Sequence, residues 1–198
     1  MGDIMEELIN EIKKYVICKS NEYKNSSYDH YDFWNEHIKY VYYESIKLAE
    51  KYNADINIVK LGALLHDIAL VEKVGDKCDH HINGKILSDK ILDDYNCPLD
   101  IKERVLGCVF NHRSCKNATN IEELCVCDAD ILAHFDNIPM LFNLAFNKNN
   151  VSLNDVREWM LEEFEKDYND LSDMTKKYFN ERYEMIKSVV VNNDNNFI

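Results

Sequence analysis

Four positions in this chain join residue types that bind cations or move protons to places where burial is expected: His37, the pair His66-Asp67, His112 and Asp130. Apolar spacing puts each on the inward face of a helix. An ionised carboxylate taken out of water shifts its pKa or finds a cation, so several such groups converging on one core imply mutual hydrogen bonding or a metal. Neighbours on a helix diverge by about 100°, yet the stems of His66 and Asp67 are short enough for both tips to reach one ion lying between them. Imidazole and carboxylate suit Mn, Fe, Co, Ni or Mg better than thiolate-preferring ions and leave positions open for substrate. Such an ion acidifies water towards neutrality and polarises a phosphoryl oxygen.

The elements that must position these groups read as helices almost throughout, because apolar residues recur three and four apart; this predicts an all-α bundle of about eight helices. The first follows Asp3 as N-cap and runs through Ile4, Leu8, Ile12 and Tyr15-Val16 to about Cys18, with a loop from Ser20 to Asp29. The second covers about Phe33 to Tyr52, its inward stripe being His37, Val41, Ser45, Leu48 and Tyr52. Asp55 caps the third, which passes Ile58, Leu61, Leu64-Leu65 and Ile68 and carries His66-Asp67 in its last turns, before a loop at Gly75. A fourth spans about Ile82 to Tyr95. Pro98 opens a fifth, whose stripe Ile101, Val105, Cys108-Val109 and His112 faces inward. Thr119-x-x-Glu122 reads as a capping box for a sixth, from about Asn120 to Phe135, with Glu123, Cys127, Asp130 and His134 on one face. Two longer amphipathic helices cover about Ser152 to Asp167 and about Ser172 to Val190, and the polar tail Asn192 to Asn196 is expected to fray.

Composition narrows the function. At 198 residues, with 46% hydrophobic and 30% charged residues, the chain buries enough surface to need neither disulfide nor structural metal, so a metal would be there for chemistry. Five glycines and two prolines leave no glycine-rich phosphate loop, which removes nucleotide-binding readings of that kind. A net charge of −13 repels a nucleic-acid polymer, whereas a small phosphorylated ligand stays compatible because a bound divalent cation reverses the local field. The seven cysteines, never spaced C-x-x-C, read as reduced thiols of a cytoplasmic protein, and a zinc-thiolate site is disfavoured for the same reason. The best apolar run, Leu61 to Val71, is broken by His66-Asp67, so no membrane association is expected.

Taken in order, the residues resemble a known family. The stretch His37-Ile-Lys-Tyr-Val, then Leu48-Ala-Glu-Lys-Tyr, Ala54-Asp and Ala63-Leu-Leu-His-Asp-Ile is similar to the opening helices of the HD-domain metal-dependent phosphohydrolases. His80-His-Ile-Asn-Gly84 resembles the family's next histidine segment, Asn111-His-Arg-Ser114 its later one, and Asp128-Ala-Asp-Ile-Leu-Ala-His-Phe135 its closing aspartate helix. The resemblance implies one all-α HD domain over residues 1–198, with an HD core at about 30–137 and a C-terminal helical pair at about 150–190 packed over it.

It further implies His37, His66, Asp67 and Asp130 as ligands of a first divalent ion. His80 and His112, with Arg113, would hold a second ion or the substrate phosphate. Asp67 would also bridge or take a proton from water. Asp130 is chosen over Asp128 because the family-like Ala-Asp-x-Leu segment starts at Ala129, and His80 over His81 because it stands four residues before Gly84. The implied activity is hydrolysis of a small phosphorylated metabolite, a nucleotide in the first instance. Two alternatives remain: an HD-type di-iron oxygenase, which uses the same ordered series, and a non-catalytic metal- or nucleotide-binding regulatory module. Association of the chain with further copies is left open. His134 is read as a packing or supporting residue and His30 as a surface residue. Lys73, Lys77 and Lys85 are read as solvated lysines, and Phe33 or Trp34 as a border of the pocket.

Overall fold

The helical spacing of Leu8, Ile9, Ile12 and Val16 carries on through Ser20 and Tyr23. In the computed structural model, which describes residues 2–146 and 152–191, all of them lie on α1 (Gly2–Ser26). The expected loop at Ser20 is therefore corrected. Ser20 is fully buried on the inward stripe and Tyr23 meets Phe33 edge-on at 4.8 Å, so the polar stretch stays helical on the strength of one packed face. Asp3 lies inside α1 rather than capping it.

Asp32 starts the next segment, its carboxylate accepting from the Asn35 backbone N–H at 3.0 Å and from Lys24 Nζ at 3.0 Å. The chain then makes a π turn (Trp34–Ile38), in which the Lys39 N–H reaches back to the Trp34 carbonyl, and continues as α2 (Lys39–Tyr52). Asn53, at φ 57°, ends α2 in the left-handed region, and Asp55 caps α3 (Ile56–Leu65) as expected by accepting from the N–H groups of Asn57 and Ile58.

α3 is the centre of the molecule. Ile58, Val59, Leu61, Ala63, Leu64 and Leu65 are all fully buried, the pattern of a helix apolar on every side, and α1, α2, α6 and α7 pack around it. It stops at Leu65. Asp67 leaves helical geometry (φ −104°, ψ 13°) and a short α4 (Ile68–Val71) restarts the spiral, so the expectation that His66-Asp67 sits inside a continuous helix is corrected.

A 3-10 turn (Lys77–Asp79) leads into α5 (His80–Asp94), which begins two residues before the expected start; α6 (Leu99–Asn111) follows Pro98. The cap of α7 (Ile121–Asp136) is shifted by one residue from the expected box. Asn120 accepts from the Glu123 N–H, and the Glu123 carboxylate accepts from the N–H and hydroxyl of Thr119. Glu122 instead takes the Arg104 guanidinium and the Asp55 N–H. α8 (Ile138–Phe146) was not expected, since its apolar residues are nearly continuous and show no clear face; Pro139 sits in its first turn, where a missing N–H does no harm.

α9 (Leu153–Asp170), with a Ser152/Asp155 capping box, and α10 (Asp173–Val190), capped by Ser172, pack against α7. Phe135 joins all three, its ring 5.1 Å from Phe164 and 5.0 Å from Phe179, and burial of each such ring contributes roughly 1.5–3 kcal/mol. The tail Asn192 to Asn196 lies outside the described residues. Among the described residues there is no strand, and no helix is long and apolar enough to cross a membrane.

Candidate metal centre

His66, His80 and His112 occupy equivalent local positions: each is the residue that closes a helical segment, namely α3, the 3-10 turn and α6. Carbonyls in the last turn of a helix lack an intrahelical donor. Each imidazole uses one, with Nδ1 bonded to the carbonyl three residues earlier: Ala63 at 2.8 Å, Lys77 at 2.8 Å and Val109 at 2.7 Å. That bond puts a proton on Nδ1 and leaves the Nε2 lone pair free for a second partner.

These lone pairs meet. His80 Nε2 lies 2.9 Å from His112 Nε2, and His66 Nε2 lies 3.1 Å from Nε2 of His37, which the π turn carries. Burial, aided by the charge of His66, lowers His112 to about 4, so it is neutral near pH 7. Nitrogens so close share a proton or hold a cation between them, and imidazoles converging in this way suit divalent ions.

Two carboxylates complete the set. Asp130 Oδ1 stands 3.0 Å from His37 Nε2 and 3.8 Å from His66 Nε2. Asp67 divides its oxygens. Oδ2 is 3.6 Å from His37 Nε2 and 3.5 Å from His66 Nε2, while Oδ1 is 3.4 Å from His80 Nε2 and 3.8 Å from His112 Nε2. The donors thus form two groups, His37, His66 and Asp130 on one side and His80 and His112 on the other, with Asp67 between them.

Burial opposes ionisation of both aspartates. The imidazoles of His66 and His37 outweigh it at Asp67, and the His37 hydrogen bond together with the charges of His66, His37 and His134 outweighs it at Asp130; both stay below the usual carboxylate range.

The neighbouring candidates go elsewhere. Asp128, about 200° round α7 from Asp130, accepts from the Ser172 N–H at 2.8 Å and the Thr175 hydroxyl at 2.6 Å, mooring α10; burial raises its pKa. His81 packs on Phe110, and Arg113 donates to the Cys78 carbonyl, tying the end of α6 to the turn before His80. Lys73 donates to the Ser26 hydroxyl, Lys85 lies over the Phe110 ring and Lys77 is exposed. His30 is an exposed residue, and Trp34 receives the Lys13 ammonium.

Two residues border the cluster more closely than the sequence indicated. His134 stacks on His37 (5.6 Å, 27°) and is bonded through Nδ1 to Asp167 at 2.8 Å. Burial disfavours its charge, but Asp167, Asp130 and Asp67 overcome that and raise it to about 9. Its place one turn after Asp130 was the available signal. Tyr31 gave none: burial, with the charges of Asp67, Glu36 and Asp130, raises its phenol well above the ordinary value.

The cysteine expectation is corrected in part. Cys115 and Cys127 form a disulfide between the segment after His112 and the helix of Asp130, with Cα atoms 5.5 Å apart, leaving Cys18, Cys78, Cys97, Cys108 and Cys125 free. A separation of twelve residues carries no sequence signature for such a pair; the turn from α6 into α7 brings them together.

The fold and the donor set define a class. The HD domain family matches residues 35–134, half of the chain, and the chain belongs to that family. Its fold is shared with solved structures at low identity. Bacillus subtilis YpgQ aligns over 94% of this chain and 93% of its own, at 19% identity and a TM-score of 0.67. An HD-superfamily hydrolase from Bacillus thuringiensis aligns over 94% of each chain, at 19% identity and 0.66. A predicted HD superfamily hydrolase from an uncultured Thermotogales bacterium aligns over 89% of this chain and 92% of its own, at 18% identity and 0.54. No curated protein matches the chain in sequence.

Proposed function

We propose that this chain is a phosphohydrolase of a small phosphorylated metabolite, most simply a nucleotide, that works with divalent ions. His37, His66, Asp67 and Asp130 would hold one ion, and Asp67, His80 and His112 a second. The observation that carries the reading is Asp67, a single buried carboxylate with one oxygen towards each imidazole group. Ions so bound would supply Lewis acidity towards phosphoryl oxygens and a water acidified towards neutrality. Two of the structural relatives are described as HD-superfamily hydrolases, which supports hydrolysis as the reaction type.

The residues divide the remaining work. The Nδ1 bonds of His66, His80 and His112 keep Nε2 aimed inward, so little reorganisation is needed when the site is loaded. Asp67 keeps lone pairs beyond those facing the imidazoles, and we assign it the attacking water's proton. Substrate approaches from the side of Asp130 and His134, whose side chains are 19% and 31% exposed while His66 is fully buried. Arg113 would reach the substrate phosphate only by exchanging the Cys78 carbonyl for it.

The test is release of phosphate or pyrophosphate from a panel of nucleotides with Mn, Co, Ni and Mg supplied in turn. Release that is metal-dependent and lost in Asp67→Ala is expected; no release from any substrate by metal-loaded protein would overturn the reading. The bridging position of Asp67 also favours a di-iron oxygenase. Release that is unchanged without oxygen excludes it, and oxygen consumption without phosphate release would establish it instead.

A further inference from the structure

α10 carries two apolar stripes; one is covered by the rest of the molecule, and the other stays largely exposed, with the Lys51 ammonium lying over its Tyr178 ring. Thr175, Phe179, Tyr183, Ile186 and Val190 are buried against the rest of the molecule. Met174, Tyr178, Met185 and Val189 make the second stripe and are 42%, 41%, 63% and 81% exposed. At 3.6 residues per turn these four side chains fall within about 60° of one another, the narrow seam with which one helix packs along another.

The seam reads the same from either end. Its midpoint lies between Glu181 and Arg182, which are both exposed and flank the seam on its two edges. Laid antiparallel on a second α10 about that midpoint, Met174 meets Val189, Tyr178 meets Met185 and Glu181 meets Arg182, and each pairing occurs twice. Along one edge Lys177 and Glu184, a heptad apart and both exposed, come to face each other in both halves. Moving the second helix by one turn destroys the match. In one direction Glu181 lands on Tyr178 and Arg182 beside Lys177; in the other Arg182 lands on Met185. Arg182 already holds Asp136 of its own chain, and a guanidinium has donors enough for a second carboxylate.

We infer that this face is a two-fold interface at which a second copy of the chain packs α10 antiparallel on α10, with opposite charges at its centre and apolar contacts on either side. None of these residues belongs to the metal centre, so the inference is independent of the proposed reaction.

Sedimentation velocity of the full chain over the micromolar range tests it. The wild type is expected to be a dimer, and Met185→Glu is expected to weaken association at least about tenfold with unchanged far-ultraviolet circular dichroism. Glu181→Arg sets arginine against Arg182 of the second copy, and Arg182→Glu sets glutamate against Glu181; each alone is expected to be monomeric. Mixed in equal amounts they present opposite charges at both central contacts, and association is expected to return. A monomeric wild type, a dimer indifferent to Met185→Glu, or a mixture no more associated than its components would overturn the inference.

Discussion

Asp67 stands where the chain leaves helical geometry, and its two oxygens face two different groups of imidazoles. Replacing it should therefore remove more than replacing any one histidine. Asp67→Ala is expected to bind neither ion and His112→Ala to keep the one held by His37, His66 and Asp130, as titration calorimetry with Mn would record; equal loss in both variants would contradict this division. The neighbouring pair on α7 gives a second test. Asp130→Asn should lose metal. Asp128→Asn should keep it but unfold more easily, by about 1–3 kcal/mol, because the buried hydroxyl and amide donors at the start of α10 lose their acceptor charge. Five of the six clustered residues stood out because histidine and aspartate on inward helical faces are hard to explain by packing, whereas His80, ahead of the expected helix, was marked by the family resemblance alone. What fixes the imidazoles was not legible: the Nδ1 bonds depend on where each helix ends, and ends are the least visible feature of a hydrophobic pattern.

His37 comes within reach of Asp130 through its π turn, and that segment is held at both ends. Asp32 caps its start, and Asn137 Nδ2 donates to the Glu36 carbonyl at 2.7 Å from the end of α7. Burial raises the Asp32 pKa, but the bonds from Asn35 and Lys24 outweigh it and depress the carboxyl. A depressed folded pKa adds stability that is present above the unfolded value of roughly 3.9 and is lost as pH falls through the folded one. Asp32→Asn should thus cost about 1 kcal/mol near neutrality, with the difference fading in acid; urea unfolding at the two pH values checks it, and a pH-independent difference would count against it.

The packing of α3 on α6 is set by Gly62, where an added Cβ would lie 2.7 Å from Cys108 Cβ. Gly62→Ala is expected to destabilise by about 1–3 kcal/mol in the same assay. Helical class and most elements were readable from period alone. The extension of α1 and the break after Leu65 were not, since the first rests on a buried serine and the second on tertiary contacts around Asp67.

Across the whole molecule, the helices that build the site are held by contacts far from it. Asp128 moors α10 to α7, His134 joins α7 to Asp167 of α9, and the Cys115–Cys127 disulfide ties the segment after His112 to the helix of Asp130. Composition gave no hint of that covalent tie, because it depends on which turns come together rather than on spacing. Thiol titration in denaturant without reductant should find five reactive cysteines per chain; seven would show the pair to be open.

The arrangement of metal ions around Asp67 can be seen directly by anomalous diffraction at the manganese edge from crystals grown with Mn. Two peaks are expected, one among His37, His66 and Asp130 and one between His80 and His112, with Asp67 bridging them. A lone peak away from Asp67, or none, would contradict the assignment of this carboxylate as the link between two ions.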